Sequence, residues 1–366
     1  MLPFVSTLAA APELWSKRPM RVLSVLLLVS LAACGASSPS SATPASATPS
    51  PGLSTHSIAL PGGPPVRMDF IALDAATGAL WVPAGNTGRV DVIDVTTGAV
   101  TEIGGFATQE IDTPRGRRLV GPSSVAIGDG VAYVGNRGDN RVCAINSHTH
   151  VLGGCAQLES MPDAVLLLAD RSELWVTTPR AHTIVVLHVE GVATPPTIVG
   201  TIAFDGEPEC LARDVEQHTV FTNLEDLDRT VAIDESRREV TASWPSGCGQ
   251  MGPRGVAFDA TRRFAYVACT DHLAVLDVGH DGAALGTLAT GGGVDDIAFV
   301  EARSEIYVGS GAAAVMRVVA VDDRGGLHEV AHATTSAGAR NAVVDAAGTA
   351  YLTDSEAGRI IVVTRE

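Results

Sequence analysis

The sequence predicts an all-β fold, a seven-bladed β-propeller whose last blade is closed by the N-terminal strand, on three observations. First, an aromatic residue followed by a β-branched or aliphatic one recurs along the chain, as Trp81-Val82, Tyr133-Val134, Trp175-Val176, Phe221-Thr222, Tyr266-Val267, Tyr307-Val308 and Tyr351-Leu352. The steps between the aromatics are 52, 42, 46, 45, 41 and 44 residues, the period of one four-stranded unit per repeat, and all four tyrosines fall at this position. Second, residues 253–290 read as four short strands, 255–258, 264–269, 272–277 and 283–288, with alternating apolar residues between turns rich in Gly, Asp and Arg. Third, the two ends complement each other. The last repeat has only three strands, 341–344, 349–353 and 359–364, while Ser57-Ile58-Ala59-Leu60-Pro61-Gly62 resembles the outer strand and loop at Thr201-Ile202-Ala203-Phe204-Asp205-Gly206. The N-terminal segment thus supplies the missing strand and closes the ring without free edges.

The elements follow in chain order. Length alone allows two domains, but the repeat makes residues 55–366 one. Residues 1–33 read as a signal peptide: Arg21 precedes an apolar run at 22–31, short for a bilayer span but suited to secretion. Residues 1–19 are either an overlong leader or an upstream start, which would place the first residue at Met20. Leu31-Ala32-Ala33-Cys34 matches a lipobox, and the stretch resembles the leaders of bacterial lipoproteins. That resemblance implies a lipid on Cys34, attachment to a membrane through it, and an exported address in the cell envelope, periplasm-facing or at the surface. Residues 34–54 are rich in Ser, Ala, Thr and Pro and form a tether, since such a composition buries too little to fold. Losing Lys17, Arg18, Arg21 and Glu13 with the leader leaves 22 basic against 40 acidic residues, a net −18. That charge repels nucleic acid, so the expected partner is a protein or small molecule that is neutral, cationic or a metal. A closed ring is expected to be monomeric.

Inner strands are expected at 70–73, 124–127, 164–167, 210–213, 255–258, 296–299 and 342–344. Third strands often end on a short polar residue, at Asp94, Asn146, Asp234 and Asp277, suited to bonding the turn that follows. The repeats at Tyr133-Val134-Gly135-Asn136, Tyr266-Val267-Ala268 and Tyr351-Leu352-Thr353-Asp354 resemble the YVTN-type seven-bladed propeller repeats of secreted bacterial proteins, and residues 343–360 are similar to an NHL repeat. The likeness covers residues 57–366 and implies the fold; it leaves the function open, because propellers carry many unrelated activities. Only Asn136 keeps the fourth-place Asn of the motif. The Trp-Asp marks of WD repeats are absent, and four Trp are too few for the docking pattern of quinoprotein propellers.

In a four-stranded blade, the loop into the inner strand and the loop between the second and third strands share one face. The residues aligned there, Asp69, Ser123, Asp163, Glu209, Arg254, Asp295 and Arg340, are expected to ring one channel mouth. The ring reads as an ion-pair ring, as a polar ligand site, or as a site for a divalent cation such as calcium. Cys143 and Cys155 stand on the two arms of one hairpin and are expected to form a disulfide, as an exported compartment permits. Cys210, Cys248 and Cys269 fall on the ring's face. They make either a Cys248–Cys269 disulfide with a buried thiol at Cys210, or a soft-metal site of Cys210, Cys248, Cys269 and His272, for which no CxxC spacing speaks.

The 52-residue step contains an insertion at 108–120 carrying Arg115, Arg117 and Arg118, which either pairs with the acidic ring or meets an anionic ligand. There is no Gly-x-Ser-x-Gly elbow, no His-Glu-x-x-His and no phosphate loop, so no catalytic residues are assigned. A non-enzymatic ligand- or protein-binding scaffold without cofactor is the expected function. The alternative is a metal-dependent, lactonase-like hydrolase drawing on Glu209, Asn223, Asp296, Asn341 and Asp354.

Overall fold

The computed structural model describes residues 52–113, 116–249 and 252–365; the leader, Cys34, most of the tether and Arg115 lie outside the described residues. Seven four-stranded antiparallel sheets succeed one another, with a two-stranded ribbon between the first and second. Blade 5 shows the unit, with strands Pro253–Asp259, Phe264–Cys269, His272–Asp277 and Ala283–Ala289. Blade 7 holds Arg340–Val344, Ala350–Asp354 and Arg359–Arg365, and its outer strand is Leu53–Ala59, paired antiparallel from Leu53↔Arg365 to Ala59↔Arg359. The closing strand therefore begins within the segment expected as tether.

The recurring aromatics are buried because the second strand of each blade is covered on both faces. Trp81, Trp175, Tyr266, Tyr307 and Phe221 are among the largest fully buried side chains. Three of their polar tips find carboxylates: Trp175 Nε1 donates to Glu173 at 3.0 Å, Tyr266 Oη to Asp259 at 2.8 Å and Tyr307 Oη to Glu305 at 3.0 Å. Burial alone pushes the Glu305 carboxyl upward, but Arg303, Arg365 and Tyr307 together hold it below the usual range. Apolar clusters lie between successive blades. One joins Tyr266 and Val275 to Ile306 and Val319, and another joins Tyr351 and Val362 to Leu80 and Ile93 across the closure. The third-strand ends cap their turns as expected: Asp94 accepts from Thr96 and Thr97, Asn146 from His148 and Thr149, Asp234 from Ser236 and Arg237, and Asp277 from Gly279.

The inner strands of blades 3 and 6 are shifted by one residue, to Val165–Leu168 and Ile297–Val300, and that of blade 1 departs further. In blade 1 it runs Ala72–Asp74, not 70–73, because the Phe70 amide bonds across to Ser123 O of blade 2 at 3.0 Å, outside its own sheet. The insertion is no open loop: Gln109–Thr113 and Gly116–Val120 pair as a ribbon.

Cys143 and Cys155 are register partners and disulfide-bonded, as are Cys248 and Cys269, while Cys210 is a buried free thiol. The second bridge joins residues 21 apart, which limits the unfolded chain. Cys248→Ser with Cys269→Ser is expected to cost about 3 kcal/mol, read as a lower guanidinium midpoint with an unchanged slope.

Candidate functional site

Three of the ring residues, Ser123, Glu209 and Arg254, and Asn341 beside Arg340 stand at irregularities in the inner strands. Register shifts fall between Pro122 and Ser124, Pro208 and Leu211, Pro253 and Val256, and Arg340 and Ala342. Ser123, Glu209, Arg254 and Asn341 thus stand where the ladder is broken, and a bulge re-aims a side chain. Asn341 adopts φ 54°, a left-handed conformation that Asn tolerates better than most residues. Gly255 is needed for contact between neighbouring blades: a Cβ there would lie 2.8 Å from Asp296 Cα and 3.0 Å from Asp295 O.

Six of the seven expected ring residues line one funnel of about 510 Å³: Asp69, Asp163, Glu209, Arg254, Asp295 and Arg340. Ser123 is buried, and its hydroxyl faces Gly135 O of its own blade at 3.5 Å. Besides Arg118 of the insertion, two further charges belong to the site and were not in the expected ring. Arg137 bridges Asp69, at 2.9 Å, and Asp163; Glu225 takes Arg254 Nη2 at 2.5 Å, with Glu209 3.8 Å from the same guanidinium. Both are the first residue after a second strand, Val131–Asn136 and Thr219–Leu224, so aligning that position as well would have found them. Arg340 Nε lies 3.3 Å from Asp295, and Asn341 Nδ2 donates to Asp69 and Asp295, each at 3.1 Å.

The charges are tuned by this crowding. Burial first, then the hydrogen bond and charge of Glu225, push the Glu209 carboxyl well above its ordinary range, against the pull of Arg254. Beneath the ring, Asp296 is pushed up to about 7, chiefly by burial, although Ile297 N–H and the Cys210 thiol donate to it. Cys210 in turn is raised by burial and by the Asp296 charge.

Removing Arg137 would leave Asp69 and Asp163 facing each other without their shared cation. Arg137→Met is expected to cost about 2 kcal/mol, below the value for a fully buried pair because water still reaches the site. A thermal unfolding curve that superimposes on wild type would contradict this.

The other sequence candidates disperse. Asn223 is spent on Arg254 O and Gly255 O, both at 2.9 Å, and Asp354 on Ser336 and Arg359. Cys248, Cys269 and His272 do come together, with ligand atoms within 4.8 Å of one another, but the disulfide occupies both sulfurs and Cys210 is held by Asp296. His272 bonds Asp271 at 2.7 Å. The insertion splits in role: Arg117 pairs within its own ribbon with Glu110 at 3.3 Å, while Arg118 lines the funnel.

Fold and site together define a seven-bladed β-propeller with a charged funnel at one channel mouth. No family model and no curated protein matches the chain, so the YVTN-type likeness rests on its motifs. Solved structures similar to it include a catalytically inactive virginiamycin B lyase from Staphylococcus aureus with quinupristin, at TM-score 0.67 and 12% identity over 86% of this chain and 100% of that one. Kuenenia stuttgartiensis hydrazine synthase is similar at TM-score 0.68 and 14% identity, over 83% and 96% of the two chains. A chain of the mitotic checkpoint complex is similar at TM-score 0.67 and 11% identity, over 92% and 99%. At these identities the likeness is one of fold.

Proposed function

We propose that the chain is a lipid-anchored protein of the cell envelope, held through Cys34, whose propeller binds a small polar ligand in the funnel without transforming it. One observation carries the reading. In a cavity of about 510 Å³, each ring carboxylate is already engaged by a guanidinium or an amide. Donors and acceptors therefore stand side by side at a size suited to a small molecule. A hydrolytic cation would need several free oxygens converging on one point, and guanidinium groups stand among these. The two disulfides are compatible with an oxidising, exported compartment.

Thermal unfolding of the full-length protein in detergent, against a panel of amino acids, polyamines and amino sugars, tests the funnel. A ligand that binds the folded state raises the melting temperature, and the rise is expected to vanish in Glu209→Gln. A rise that persists in both Glu209→Gln and Arg254→Gln would place binding elsewhere. Metabolic labelling with a fatty acid tests the anchor, with label expected on wild type and absent from Cys34→Ser.

A further inference from the structure

We propose that the space beneath the ribbon is an anion subsite, in which Arg67, Arg118 and Arg340 take the phosphate group of a small phosphorylated molecule. It rests on the reading of this mouth as the ligand-binding face, and it names the chemistry of one end of the ligand.

A cavity of about 810 Å³ lies between the ribbon and the mouth loops of blades 1 and 7. Four arginines line it, Arg67, Arg117, Arg118 and Arg340, against one carboxylate, Glu356. In a chain of net charge −16 such a local excess of positive charge runs against the whole. Three of the four have partners that leave room for a ligand. Arg67 holds Glu356 at 2.6 Å, Arg117 holds Glu110 at the ribbon's surface, and Arg340 reaches Asp295 on the funnel side. Arg118 makes no ion pair among the described residues, and it lines both this cavity and the funnel.

Its surroundings oppose its charge. Burial first, then the positive charges of Arg137, Arg67 and Arg340, press the Arg118 guanidinium toward deprotonation, with only Asp69 acting against them. A dianion placed among these groups relieves that repulsion, and the planar guanidinium fork matches phosphate oxygens two at a time.

The position is built. The Arg137 amide donates to Gly121 O at the ribbon's foot at 2.9 Å. A Cβ on Gly121 would lie 2.1 Å from Gly85 O, so the foot is seated directly on a blade 1 loop. The Arg67 amide is fixed by Asn86 Oδ1 at 2.7 Å. Guanidinium groups on two blades and the ribbon thus line one half-open space that shares Arg118 and Arg340 with the funnel.

Isothermal titration of the full-length protein with inorganic pyrophosphate at low ionic strength tests the subsite, with matched sodium chloride as the control. Saturable binding is expected in wild type, weakened about tenfold in Arg118→Gln, the loss of one charge-assisted bidentate contact. Glu356→Gln, which removes the competing carboxylate, is expected to tighten it, a direction that loss of folding cannot mimic. The funnel's own ligand is read separately, through the rise in melting temperature that Glu209→Gln abolishes. Absence of saturable heat up to about 10 mM, a concentration that would capture even millimolar affinity, would overturn the subsite. An affinity equal in wild type and Arg118→Gln would do the same. If pyrophosphate binding fails while the Glu209-dependent ligand remains, only the subsite is lost.

Discussion

A full chain lacking residues 53–59 is expected to lose its closed fold and to aggregate. Leu53–Ala59 pairs along its whole length with Arg359–Arg365, so its removal exposes the backbone edge of blade 7. Ile58 packs onto the cluster joining blades 7 and 1, and Leu53 onto the one joining blades 6 and 7. Losing these two partly buried side chains and a ladder of hydrogen bonds worth about 1 kcal/mol net apiece removes several kcal/mol. For a domain of this size that corresponds to about 10 °C in melting temperature, and the bared edge invites pairing between molecules. Gel filtration should show aggregate in place of the wild-type peak. A synthetic peptide of residues 53–59 added during refolding should restore that peak, because a strand supplied in trans makes the same main-chain bonds. A deletion variant that elutes and melts with wild type would refute the closure.

That closure was legible before any coordinates because both of its halves were written as deficits, a three-stranded last repeat and a strand with no blade. The blades were legible for a related reason. The buried aromatic of the second strand recurs at a fixed period, and only a position covered on both faces holds Trp and Tyr so regularly. The ring was found in part. Aligning one loop position located six lining residues, but Arg137 and Glu225 come from the other loop of the same face, and their place depends on reach across blades. Arg137 spans from blade 2 to carboxylates of blades 1 and 3, a length of side chain that periodicity does not encode. The ribbon was anticipated as an insertion with a basic knot; what could not be read was that Arg117 spends its charge on Glu110 while its neighbour Arg118 faces the mouth. That division follows from strand alternation, which needs the pairing of Ile111↔Arg118 and Asp112↔Arg117 to be known.

Asp296→Asn is expected to flatten much of the protein's pH dependence and to raise its stability in mild alkali. In the folded chain burial keeps the Asp296 carboxyl neutral up to about pH 7, whereas its ordinary value is 3.8. Between those two values the folded state holds a proton that the unfolded state has released. Stability from this group is therefore complete below about pH 3.8, falls as the pH rises, and is gone once the pH passes about 7. A separation of about three units corresponds to of order 4 kcal/mol across the window. Asparagine carries no titrating proton and keeps the Oδ1 that accepts from Ile297 N–H. The variant should match wild type near pH 4 and exceed it at pH 8, where wild type must carry an ionised carboxylate beneath Asp69 and Asp295. Guanidinium midpoints for both proteins at pH 4, 6 and 8 measure this directly. Curves that run parallel would mean that Asp296 is charged in the folded chain at all three, and the floor of the funnel would then be a site of fixed negative charge.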